Sequence, residues 1–186
     1  MLRAPSQALI LLAHPTYAES KLNRALLNSV AGNLDIKVRD LASLYPDFKI
    51  DVAAEQKALI EADLIVFQFP LFWYSTPAIL KKWQDEVLTW GFAFGKMGKA
   101  LHGKKFLVAT TTGVDETFYL PSDNRPYDME DYLSPLIQTA RYCGLEPLPC
   151  FCLYGGRNLP ENRIAEAAAA YRKILIDTLK NADQRS

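Results

Sequence analysis

The sequence predicts a doubly wound α/β domain, with a mostly parallel sheet of five strands and helices on both faces. Three observations carry this expectation. Strand-like apolar runs alternate with helix-spaced segments five times along 186 residues. Four of those runs are continuously apolar, as strands covered on both faces are. The hydrophobic share of 49% suffices to bury a core on each side of a sheet.

The continuous runs are Ala8 to His14, Leu64 to Phe69, Phe106 to Thr112 and Leu148 to Tyr154. A fifth, Leu34 to Asp40, alternates apolar Leu34, Ile36 and Val38 with polar Asp35, Lys37 and Arg39, the pattern of an edge strand with one wet face. Helical spacing links Leu22, Ala25, Leu26 and Val30, then Ile79, Leu80, Trp83 and Val87. It recurs in Leu133, Leu136, Ile137 and Ala140, and in Ile164, Ala168, Tyr171, Leu175 and Leu179. Ser20 can cap the first of these helices, Thr76 followed by Pro77 can open the second, and Pro160 closely precedes the last. A weaker helix fits Val52 to Ala62. No repeat or linker divides the chain, so one domain over residues 1–186 is expected.

Lysine plus arginine equals aspartate plus glutamate at 21 each, which speaks against a nucleic-acid binder or a protein drawn to an anionic membrane. Cys143, Cys150 and Cys152 make an odd count in a chain large enough to fold without staples, so free, buried thiols and a cytoplasmic, reducing compartment are expected. Met1 to Gln7 lead into an apolar run too short for a signal-peptide core or a membrane span. No targeting segment is expected.

Several motifs are absent. There is no G-x-G-x-x-G after the first strand and no G-x-S-x-G elbow, and two histidines supply neither a triad nor a metal site well. Gly98 to Lys105 reads GKALHGKK; it has Lys105 where a P-loop needs Ser or Thr, and it precedes a strand, so it reads as a basic turn.

In open α/β sheets, ligands bind beyond the carboxyl ends of the strands, so the exits of the first, third and fourth strands are the candidate site. The first exit runs from His14 into Ser20-Lys21-Leu22-Asn23, where a capped helix start presents free N–H groups suited to phosphate. An ordinary cap is the other reading, and His14 is either a core histidine or a phosphate donor. The third exit carries Leu71, Phe72, Trp73 and Tyr74, more aromatics than packing needs and fitting for a planar ligand. The fourth ends Thr111-Thr112-Gly113, a turn whose N–H groups could serve the polar edge of a ring gaining charge.

These residues resemble a known family. The AHP…S…N loop, the PLFWYS-x-P-A-x-L-K-x-W segment and the TTTG turn are similar to the NAD(P)H dehydrogenase (quinone) family of flavodoxin-like proteins. Leu44 to Asp51 with Ala54-Glu55-Gln56 looks like its bacterial subgroup of ancillary oxidoreductases for glutathione-regulated potassium-efflux antiporters.

The resemblance implies a non-covalent flavin, FMN over the alternative FAD, with His14, Ser20, Lys21, Leu22 and Asn23 around phosphate and ribityl. It places Leu71, Phe72, Trp73 and Tyr74 along the ring, and Thr111, Thr112, Gly113 and Val114 at its polar rim. Val114 stands where many relatives carry glycine. Tyr119 falls at the family's tyrosine near the hydride acceptor, whereas Asn124-Arg125-Pro126-Tyr127 lacks the accompanying histidine. Tyr119 and Tyr127 are therefore the candidate hydrogen-bonding groups for a substrate oxygen. The implied activity is ping-pong hydride transfer from NAD(P)H to a quinone-like acceptor by a homodimer. The alternative is a regulatory flavin subunit of a potassium/proton antiporter, peripheral to the inner membrane.

Overall fold

The computed structural model describes residues 6–156 and 158–184; the expectation for Met1 to Gln7 therefore lies mostly outside the described residues. Six strands form one parallel sheet: β1 (Ala8–Leu12), β2 (Ile36–Asp40), β3 (Leu64–Pro70), β4 (Lys105–Thr111), β5 (Glu146–Pro147) and β6 (Phe151–Leu153). The order is β2-β1-β3-β4-β5, with β6 also on β4. β5 and β6 together hold the fifth position, pairing with Lys105–Phe106 and Ala109–Thr111. The sequence predicts one strand over Leu148 to Tyr154. The structure divides it and starts it earlier, because Pro149 has no N–H to give to β4.

Helices α1 (Lys21–Val30) and α6 (Glu161–Asp183) cover one face; α3 (Val52–Glu61), α4 (Ala78–Val87) and α5 (Met129–Tyr142) cover the other, joined by the short α2 (Leu41–Leu44). Strand periodicity divides the core. Ile10, Val66 and Leu107 point to α1 and α6, while Leu11, Phe67 and Val108 point to the other layer. Both faces are thus covered over the central strands, which explains their continuous apolar runs.

Two local expectations change. Pro77 takes the cap position of α4 and Thr76 makes no cap bond, so fixed proline φ opens this helix. On β2 exposure does not follow the expected alternation: apolar Val38 is exposed beside exposed Lys37, while polar Arg39 is partly covered. Arg39 turns under α3, where Nε donates to the fully buried Glu55 carboxylate at 2.7 Å. Tyr45 and Trp83 also donate to Glu55, at 2.5 and 2.9 Å, so the carboxylate is balanced by one cation and two neutral donors. Apolar Leu34, just before the strand, is 91% exposed.

Candidate functional site

The chain leaves β1 to one side for β2 and to the other for β3, so strand order reverses between β1 and β3. Such a switch point opens a crevice at the carboxyl ends of the strands. His14, two residues beyond β1, is buried there. Its Nδ1 accepts the Thr16 N–H at 3.1 Å, which places the ring proton on Nε2. Burial holds its pKa below the usual 6.5, against Asp40 and Glu19, which pull it up. A neutral imidazole with a free Nε2–H donor results. Its ring stands edge-on to Phe72 at 6.4 Å, so the exits of β1 and β3 meet.

After a 3-10 turn at Tyr17–Glu19, Ser20 caps α1 by accepting the Asn23 N–H at 3.2 Å. Lys21 and Leu22 keep the first-turn N–H groups that no helical carbonyl reaches. The Lys21 ammonium is turned away to Glu161 at 2.8 Å, and the Leu22 side chain is buried, so these two offer backbone to a ligand. Asn23 differs from the expectation. Its side chain is fully buried and its Nδ2 donates to Thr111 Oγ1 at 2.9 Å, so it braces the cradle from inside.

Beyond β3, Leu71 donates its N–H to Thr111 O at 2.8 Å, and a tight turn follows. Phe72 and Ser75 exchange two backbone hydrogen bonds, at 2.9 and 3.0 Å, across Trp73 and Tyr74. Both central residues have positive φ, 47° and 61°. That is the type I′ pattern, for which glycine and asparagine are preferred and bulky side chains are strained. Trp73 is nevertheless 93% exposed, beside Phe72 at 45% and Tyr74 at 39%. Packing therefore accounts for neither the backbone conformation nor the exposure of this turn.

Beyond β4, Thr111 and Thr112 are buried while Gly113 and Val114 reach the surface. The Val114 carbonyl accepts from Thr112 Oγ1 and from Gly155 N–H, both at 2.7 Å, and Gly156 N–H donates to Thr112 O at 2.9 Å. The turn is therefore locked to the loop after β6. Gly156 permits this close approach: a Cβ there would lie 2.9 Å from the Leu22 side chain and 3.0 Å from the Thr112 carbonyl, and one of them would have to shift. The sequence-based site omits this fourth loop, although the Gly-Gly pair after the last strand marks it.

Tyr119 sits in a 3-10 turn (Glu116–Tyr119), buried against Tyr154 at 5.7 Å and Tyr132 at 6.3 Å. Burial raises its pKa, and contact with the Thr112 hydroxyl partly offsets this. Tyr127 is 56% exposed and touches Tyr132 at 6.2 Å. Arg125, in the stretch where the histidine is missing, lies 4.0 Å over Phe118. Tyr132 and Tyr154 have no motif to mark them; only the fold brings them here. Cys143 is buried and Cys150 and Cys152 half-buried, all free, and burial pushes the Cys152 thiol up to about 11. The GKALHGKK turn lies at the other end of β4, where the Lys104 ammonium donates to Ile60 O at 2.8 Å.

The donor chemistry fits a flavin mononucleotide. A neutral histidine N–H, a serine hydroxyl and helix-start N–H groups suit a phosphate monoester, and the exposed aromatic turn suits a planar ring. An anion-ready helix start beside an aromatic turn, on a sheet of this order, is a flavodoxin-like architecture. The model of the flavodoxin-like fold family matches residues 6–175, and the chain belongs to that family.

The chain is 42% identical over 168 residues to the glutathione-regulated potassium-efflux system ancillary protein KefF of Salmonella newport, covering 90% of this chain and 94% of the relative. Among solved structures it is similar to general stress protein 14 of Treponema denticola in complex with FMN. There the TM-score is 0.85 and the identity 35%, over 92% of this chain and 99% of that one. It is also similar to an NADPH-quinone reductase of P. pentosaceus, with TM-score 0.82 and 27% identity over 90% and 96% of the two chains.

Proposed function

We propose that this chain, acting as one domain, is an FMN-dependent oxidoreductase that passes hydride from NAD(P)H to a quinone-like acceptor. The observation that carries the reading is the strained, exposed Trp73-Tyr74 turn at the strand-order switch point. The FMN complex of the Treponema relative and the likeness to an NADPH-quinone reductase support it.

His14 Nε2–H, the Ser20 hydroxyl and the N–H groups of Lys21 and Leu22 would hold the phosphate. Leu71, Phe72, Trp73 and Tyr74 would flank the ring, and the Thr111 to Val114 turn would present backbone to its polar edge. Bound FMN would supply the hydride chemistry. The chain orients the ring, and its aromatic wall keeps water from the exposed face. Tyr119, kept protonated by burial, and the more exposed Tyr127 can donate to an acceptor oxygen.

Steady-state kinetics of the FMN-loaded protein test this. NAD(P)H and a quinone using one place in turn give parallel double-reciprocal lines; intersecting lines contradict it. The mass of the released cofactor separates FMN from FAD.

The KefF relative favours a second reading, a flavin-bound regulatory subunit on the cytoplasmic side of an inner-membrane potassium-efflux antiporter. No helix among the described residues is long and apolar enough to cross a membrane, so attachment would run through the partner. A variant that keeps flavin but not turnover would still activate transport on this reading, and would not on the first.

A further inference from the structure

We propose that Tyr132, on α5, is a positioning residue for the acceptor half of the reaction, a single ring on which both walls of the site rest. The inference rests on the oxidoreductase reading above. Three rings from two loops converge on Tyr132. Tyr74, from the strained turn after β3, packs on it at 4.8 Å between centroids with the planes 31° apart. Tyr119 and Tyr127, from the loop after β4, meet it edge-on at 6.3 and 6.2 Å. Those distances lie in the range of favourable aromatic pairing.

No other side chain touches rings from both loops among the aromatic contacts of the described residues. The two loops are otherwise tied at the strand ends, through Leu71 N–H and Thr111 O. Their outer parts, where an acceptor would lie, depend on α5. Tyr132 also lines a cavity of about 130 Å³ with Leu71, Ser75 and Thr76, so the packing behind the turn has space into which it could collapse. Among the ring contacts of the described residues, Tyr132 meets Tyr74 alone of the flavin wall and neither Phe72, Trp73 nor His14 at the phosphate end. Loss of this ring should therefore misplace the acceptor and spare flavin retention.

The test uses the full FMN-loaded chain with NADPH and p-benzoquinone. Tyr132→Leu raises the quinone KM roughly fivefold or more, while flavin affinity and the anaerobic rate of flavin reduction by NADPH stay within about twofold. Tyr132→Phe, which keeps the ring, restores the quinone KM. An unchanged KM in Tyr132→Leu, a parallel loss of flavin affinity and reduction rate, or failure of Tyr132→Phe to rescue overturns the assignment. Should Tyr132→Leu not fold, Tyr132→Met takes its place with the same expected split. If the wild type turns over and the split is missing, only the role of Tyr132 fails. A wild type that takes up no flavin or is not reduced by NADPH overturns both readings.

Discussion

The Asn23 Nδ2 donates to Thr111 Oγ1 at 2.9 Å and so ties the first turn of α1 to the carboxyl tip of β4. Behind it, Gln68 Nε2 donates to the Asn23 carbonyl at 3.1 Å, and the Tyr171 hydroxyl to Gln68 Oε1 at 2.9 Å. Four buried polar side chains from α1, β3, β4 and α6 thus fix the phosphate and ring ends of the site to one another. Asn23→Ala leaves the buried Thr111 hydroxyl short of a partner, at a cost of about 1–3 kcal/mol, while Gln68 keeps the main-chain carbonyl of residue 23. Urea unfolding should show that loss, and FMN affinity should fall with it although no Asn23 side-chain atom reaches the surface.

Trp73 gives the opposite balance. Its left-handed backbone costs about 1–2 kcal/mol, and its exposed indole returns little by packing. Trp73→Gly is expected to raise the stability of the flavin-free protein by about 1 kcal/mol. Flavin affinity should drop in the same variant. Paired denaturation and fluorescence titrations check the trade; a loss of stability would show that the turn is not strained.

The Glu55 carboxylate is buried in the core and bonds Arg39, Tyr45 and Trp83, none of them a site residue. Arg39→Met removes the one cation among its hydrogen-bond partners in the described residues and strands a buried charge, so destabilisation of about 3–5 kcal/mol is expected. Trp83→Phe removes one neutral donor and costs less, about 1–3 kcal/mol. Flavin affinity per folded molecule should not change in either.

The lowered pKa of His14 has a defined sign. The unfolded chain takes up this proton first as pH falls through 6.5, so the contribution is full above that value and is lost on acidification towards the lower folded value. His14→Gln should flatten the decline of Tm over that window. Proton NMR should show the His14 ring titrating below 6.5 in the flavin-free protein, and a higher value would contradict the buried geometry.

The sheet was legible because parallel strands covered on both faces leave continuous apolar runs, and Leu64 to Phe69 has no other use. The fifth strand was legible only in outline, since Pro149 interrupts it. Ser20 and the Phe72–Tyr74 stretch stand out by position at strand exits. The inward turn of Asn23 does not, because an amide at the third position of a helix reads the same whether it meets ligand or β4. The convergence of Tyr74, Tyr119 and Tyr127 on Tyr132 depends on how α5 docks, which no local spacing records. Arg39 misleads for the same reason: alternation marks a polar side, and only α3 shows that Arg39, unlike the exposed Lys37, is covered there.

A flavin held between the helix start at Ser20 and the turn at Trp73 underlies every role proposed for this site. The visible spectrum of the purified protein, followed by mass analysis of the cofactor released on denaturation, tests it most directly. The expected result is a yellow protein that releases FMN, or a colourless one that takes up FMN on titration and loses that capacity in Trp73→Gly. A protein that stays colourless and binds neither FMN nor FAD would contradict it.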